Sequence, residues 1–247
     1  MSATLAYEAD LTVAAGRAVV YSLLATGLAR PTSERLAAIE SVLLPAVEAL
    51  DLPEAIDSAI DHVESLMPSD LEAIDAAHFA LFPPITSQDA PGYETAYRGD
   101  GIFQQSALLA DIAGFYRAHG LRAGGEERER LDHVVVELEF MALAARKEFS
   151  AAQALRLEEA DICRRTSADF LKDHLACWAP AFGRRAASLA GDPWYGALGL
   201  LLALWVEADA AALGVSPIEV ADQPLAQDPP DDGSCGPCPV PTTPGVP

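Results

Sequence analysis

With 37 acidic against 16 basic residues in 247, the chain carries a formal charge of −21. Nucleic-acid binding draws most of its affinity from lysine and arginine neutralising phosphates, so nucleic acid is excluded as a partner, whereas the same acidic field attracts a basic ligand and keeps the protein from aggregating. Hydrophobic residues make up 51% and aromatic ones 7%; the abundance of alanine favours helix almost throughout, and the expected fold is all-α.

A first helix is expected from about Tyr7 to Ala29, where Val13, Val20, Leu24 and Leu28 recur at helical spacing and Pro31 stops it. Ser33 offers an N-cap for a second helix, which Pro45 should kink or split. A third fits Pro53 to Leu66, with proline at its start. Asp70 caps a fourth that reaches Phe82, just before the double proline at 83 and 84.

Residues 81–101, LFPPITSQDAPGYETAYRGDG, interrupt this run of helices. Proline-rich connectors of such length in a compact domain are functional or disordered, and aromatics as dense as Phe82, Tyr93, Tyr97 and Phe103 argue against disorder.

After the connector, Phe103 to His119 forms a helix with Gly120 placed as its C′ residue. The next helix is expected to begin near Glu126, with acids in its opening turns and Arg146 and Lys147 near its end, as the macrodipole favours. At ~100° per residue, Leu131, Val134, Val135, Leu138, Met141 and Ala142 share one side of it; Val136 and Phe140 lie opposite, with His133 and Glu137 close to Phe140. A helix apolar on two faces belongs at the centre of a bundle, and Asp132 and His133 would stand where that bundle opens.

Further helices fit Ala151 to Leu175, Ala179 to Ala190 and Pro193 to Leu213. From Gly214 the chain turns too rich in proline and acid to bury a core, which reads as a disordered tail. Residues 1–213 are therefore expected to form a single-domain helical bundle of about eight to ten helices, and residues 214–247 an acidic tail holding Cys235 and Cys238.

The opening stretch MSATLAYEADL has no basic residue before Arg17, unlike a secretory signal, and the longest apolar run, PWYGALGLLLALWV, has 14 uncharged residues. That is short of the ~18 a membrane span requires, so no stable membrane insertion is expected and the cytoplasm is the expected compartment.

Signatures of chemistry are sparse. The sequence has no P-loop, no GxGxxG after a strand and no GxSxG elbow. Asp75-Ala-Ala-His78 is a single weak match to a di-iron pattern that needs two Glu-x-x-His motifs. His133 and Glu137, four apart on one helix, could ligate a metal together, but two ligands do not make a site. The CGPC at 235–238 lacks both a second pair and a following helix to lower a thiol pKa. No cofactor follows from any of these.

Three stretches taken together resemble the TorD/DmsD/NarJ family of redox-enzyme maturation chaperones. HFALFPP followed by PGYETAY resembles that family's aromatic-x-x-Leu-Phe, loop and Pro-Tyr-Glu-Ser pattern. ERLDHVVVELEFMALA is similar to its Glu-Pro-Asp-His motif and the helix that follows. FLKDHLACWAPAF, with the final helix after an aromatic residue, is similar to its closing pattern. Departures are His78 at the aromatic position, Gly92 between proline and tyrosine, Thr95 for serine and Leu131 for proline.

The resemblance implies a cytoplasmic, non-enzymatic chaperone that binds the N-terminal leader and apo form of a molybdenum oxidoreductase catalytic subunit. It would hold that client for molybdopterin insertion and delay export until insertion is done. Carried over motif by motif, the leader site comprises Leu81, Phe82, Pro91, Tyr93, Glu94, Asp132 and His133, to which Tyr97 and Glu137 are added by their placement.

A twin-arginine leader pairs adjacent positive charges with an apolar segment and asks for carboxylates beside a greasy groove. In this reading Phe82, Tyr93 and Tyr97 give apolar contact, Glu94 and Asp132 give charge, and His133 and Glu137 orient them. The competing readings are a metal-dependent hydrolase or oxidoreductase using His133 and Glu137, and a helical adaptor for a folded partner. Homodimerisation is left open.

Overall fold

The structure is a computed structural model that describes residues 3–83, 89–99, 101–121, 129–218, 220 and 224–225, with side chains from Leu11 onward. Among these residues the chain is helical, in the order α1 (Ala3–Leu28), α2 (Ser33–Ala38), α3 (Leu44–Glu48), α4 (Glu54–Ser65), α5 (Leu71–Leu81), α6 (Thr95–Arg98), α7 (Ile102–Ala118), α8 (Val134–Gln153), α9 (Leu157–Phe170), α10 (Ala176–Leu189) and α11 (Pro193–Ala212). Two π turns, Ile39–Leu43 and Leu171–Leu175, join α2 to α3 and α9 to α10. The all-α expectation holds.

Helix α8 is the central element that its two apolar faces predicted. It packs against α1 on one side and α9 on the other, and Val134, Leu138, Phe140, Met141 and Ala145 are all buried. Phe140 sits among Tyr116 and Phe170, with ring centroids at 5.0 and 4.6 Å. The second close pair is α10 on α11, where a methyl group on Gly183 would come within 2.4 Å of the Gly199 carbonyl oxygen. Only glycine permits that backbone approach.

Several boundaries differ from the sequence reading, each for a local reason. Thr32, not Ser33, caps α2, its side chain accepting from the Arg35 amide at 3.2 Å. Pro45 falls where the chain leaves the π turn and enters α3, so the expected split is a change of winding.

Glu126 lies outside the described residues, but 129–133 are not helical and α8 begins only at Val134. It runs on to Gln153 and ends in a Schellman turn: Leu155 takes φ 58°, and the Arg156 and Leu155 amides reach the Ala151 and Ala152 carbonyls at 2.8 and 2.7 Å. Glycine usually fills that left-handed position, so no residue type announced the stop.

The expected break between Leu175 and Ala179 is absent. Phe170, His174, Trp178 and Phe182 are all buried along one helical path. Residues four apart overshoot a full α-helical turn by ~40°, and the wider π turn takes part of that drift back, keeping the four on one line.

The residues just past Gly214 do not leave the domain. Val215 and Val220 pack on the core, the Val220 amide bonds the Cys177 carbonyl at 3.1 Å and the Leu225 amide bonds the Ala96 carbonyl at 2.9 Å. These contacts lie beyond the boundary drawn at Leu213. Cys235 and Cys238 lie outside the described residues.

By length and hydropathy, Leu11–Leu28 and Pro193–Ala212 could each cross a membrane, but 61% of each is buried inside the bundle. Counting only uncharged runs had hidden both, because Arg17 and Glu207 interrupt them.

Candidate functional site

The connector and the entry to α8 are one structural unit. Tyr93 and His133 form an isolated antiparallel bridge. Around it the Val134 amide donates to the Gly92 carbonyl at 2.9 Å and the Glu94 amide to the Asp132 carbonyl at 3.0 Å. The first turn of α8 is closed by His133, whose Nδ1 accepts from the Val135 amide at 3.3 Å. Accepting there puts the ring proton of the neutral imidazole on Nε2. Burial, then His78 and Arg130, push the His133 pKa down to about 3, so the ring is neutral at physiological pH.

His133 lies between Phe82 and Tyr93, with ring centroids at 5.2 and 5.0 Å. Phe82 in turn meets His78 at 5.0 Å and Phe182 at 6.0 Å. Gly92 makes this stack possible, because a Cβ there would come within 2.7 Å of the Phe82 ring. The glycine that departs from the family pattern thus makes room for a phenylalanine ten positions before it.

Beneath the rings lie three fully buried acids, Glu94, Asp132 and Glu137. Asp132 Oδ2 accepts from the Thr95 amide at 3.2 Å and the Thr95 hydroxyl at 2.7 Å, and Arg130 Nη2 reaches the same oxygen at 3.0 Å. Glu94 pairs with Arg98 and with His174 Nδ1, the latter at 3.0 Å. Glu137 Oε2 accepts from the Trp178 indole at 3.1 Å. Burial first, and the neighbouring Glu94 charge next, hold the Glu137 carboxyl well above the usual range.

All nine expected site residues therefore converge, but not as an open cleft rimmed by carboxylates. Leu81, Phe82, Pro91, Gly92 and Tyr93 line only a hollow of about 20 Å³. Tyr97 is buried against Trp178 at 5.5 Å and faces the core. His133 Nδ1 accepts from the α8 backbone, whereas Glu137 accepts from the Trp178 indole and lies against Glu94. Glu94 and Asp132 are paired internally and burial favours the neutral form of Glu137, because an unpaired buried carboxylate is too costly. The groups that reach the surface are the half-buried Phe82 and Tyr93 and the exposed side of Arg130.

The metal reading gains no third ligand here: no cluster of three or more metal-binding side chains occurs among the described residues. A cavity of about 500 Å³ lies elsewhere, between α10, α11 and residues 215–217 and 220.

Sequence reasoning missed Thr95, Arg130, His174 and Trp178. The last two stood in plain view: His174, Trp178 and Phe182 belong to the closing motif FLKDHLACWAPAF, and each faces the connector unit. Arg130 had no signal beyond its position two residues before Asp132.

The nitrate reductase delta subunit family matches residues 47–184, which contain every one of these groups. The chain belongs to that family. It is thereby one of the TorD/NarJ maturation chaperones that its motifs resemble. Its relatives include the selenate reductase assembly chaperone protein of Thauera selenatis, 36% identical over 64% of this chain and 75% of that protein. The chlorate reductase assembly chaperone protein of Ideonella dechloratans is 32% identical over 59% of this chain and 73% of that one. The chaperone protein TorD of Vibrio cholerae is 25% identical over 61% and 66% respectively.

Proposed function

We propose that the chain is a dedicated chaperone for the catalytic subunit of a molybdenum oxidoreductase. It binds the subunit's N-terminal leader and apo form in the cytoplasm, assists molybdopterin insertion and delays export until maturation is complete. The observation that carries this reading is the convergence of all three family motifs on one unit, the connector bridged to the start of α8. Relatives named as assembly chaperones for selenate and chlorate reductases support the client class.

The leader's apolar segment lies along Phe82 and Tyr93, with Leu81 and Pro91 supporting them from below. Its cationic segment is drawn by the net charge of −21 and held over Asp132, the buried acid nearest the surface arginine. Ile102 and Phe103, 80% and 92% exposed at the start of α7, offer apolar surface to the unfinished client.

Co-purification from the native cell tests the proposal. A large molybdenum-enzyme subunit should be retained by the tagged chain and lost when the subunit's N-terminal segment is deleted. Retention unaffected by that deletion would leave the adaptor reading in its place.

A further inference from the structure

Arg130 is an unusual partner for a fully buried acid. Its side chain is 48% exposed while that of Asp132 is wholly covered, and its guanidinium carbon lies 4.7 Å from the Tyr93 ring centroid. One terminal nitrogen, Nη2, makes both of its polar bonds here, at 2.8 Å to the Thr95 hydroxyl and 3.0 Å to Asp132 Oδ2. Asp132 Oδ1 is buried without a hydrogen-bond partner among the described residues. The aromatic face, the hydroxyl acceptor and the carboxylate are the parts of a guanidinium receptor, in which a planar cation stacks on a ring and forks onto both carboxylate oxygens. Arg130 fills it with one fork only.

We propose that Arg130 is a resident placeholder in a guanidinium subsite formed by Tyr93, Thr95 and Asp132, and that an arginine of the partner polypeptide displaces it. This rests on the leader-binding reading for the identity of the partner, not for the subsite itself. The resident cation keeps the buried carboxylate compensated while the chaperone is empty. An incoming guanidinium that engages both oxygens outcompetes it, and Arg130 swings into solvent with its charge intact. The design favours arginine over lysine, because an ammonium can neither stack as a plane nor span the two oxygens.

The geometry predicts the sign of a substitution that an ordinary structural ion pair would reverse. A synthetic peptide carrying two adjacent arginines before an apolar run is titrated into the wild-type full chain and into Arg130→Ala. Removing the intramolecular competitor should tighten binding about tenfold, and replacing the peptide arginines by lysines should abolish the gain. Unchanged or weaker binding to Arg130→Ala overturns the placeholder and leaves leader binding standing.

A second measurement needs no leader. Millimolar methylguanidinium should raise the Tm of Arg130→Ala more than that of the wild type, with methylammonium as control. Rescue without peptide binding would keep the subsite and sink the leader reading; no rescue sinks the subsite. Should Arg130→Ala fail to fold, Arg130→Lys carries both measurements, since it keeps the charge and loses the plane.

Discussion

Among the described residues the bundle buries charge in two places, and they are built differently. In the first, the cation is buried along with its acids: Arg17 of α1 bonds Asp209 of α11 at 2.8 Å and Glu148 of α8 at 2.7 Å, and Tyr21 donates to the second oxygen of Asp209. Arg17 and Asp209 are both almost fully covered. In the second, around the connector, the acids are deepest and the arginines lie outward, Arg98 and Arg130 with side chains 21% and 48% exposed. A buried cation between three helices cannot be exchanged without opening the bundle. A surface cation on a buried acid can be, so the first cluster closes the fold and the second is suited to trade partners.

The sharpest way to break this contrast is Arg17→Met. It strands two acids among α1, α8 and α11, and should cost about 3–5 kcal/mol in urea unfolding. A loss under about 1 kcal/mol would mean that the cluster does not close the bundle. Asp132→Asn, which removes the charge and keeps an acceptor for Thr95, should destabilise far less. Leader affinity should nevertheless fall by about 2–5 kcal/mol in titration calorimetry.

Two pH experiments sharpen the comparison from the neutral side. The His133 pKa falls from 6.5 to about 3 on folding, so the unfolded chain binds the extra proton first. Its contribution to stability is present above pH 6.5 and lost as pH falls through that window, at up to about 1.4 kcal/mol per unit. His133→Asn, which can still cap α8, should flatten that slope.

Glu137 has the opposite sign: its raised folded value means stability declines as pH rises above 4.5. Glu137→Gln, a copy of the neutral acid, should remove that decline and raise Tm at neutral pH. The smallest effect is expected from Asp231→Asn, one of the acids in the stretch DPPDD at 228–232, at within about 0.5 kcal/mol. A drop in leader affinity equal to that of Asp132→Asn would dissolve the distinction between a specific site and a diffuse field.

Much of this is legible in the sequence. Asp70 caps α5 as expected, accepting from the Glu72 and Ala73 amides at 3.0 and 3.2 Å. Gly120 takes the positive φ of 78° that its position after α7 required. Centrality of α8 followed from apolar residues on both its sides. What was not legible was exposure. Glu94 and Asp132 read as charges for a ligand, and both turned out to be covered and internally paired.

Chain order and spacing alone determined the helical class, the central helix and the three motifs, because helix propensity, caps and periodicity act over a few residues. Tertiary structure decided that the connector pairs with residues 132–134, that His174 and Trp178 close over it, and that Arg130 rather than an acid faces solvent. The desolvation cost of a carboxylate depends on what covers it, and here the cover comes from helices as far as 80 positions away, as between Glu94 and His174.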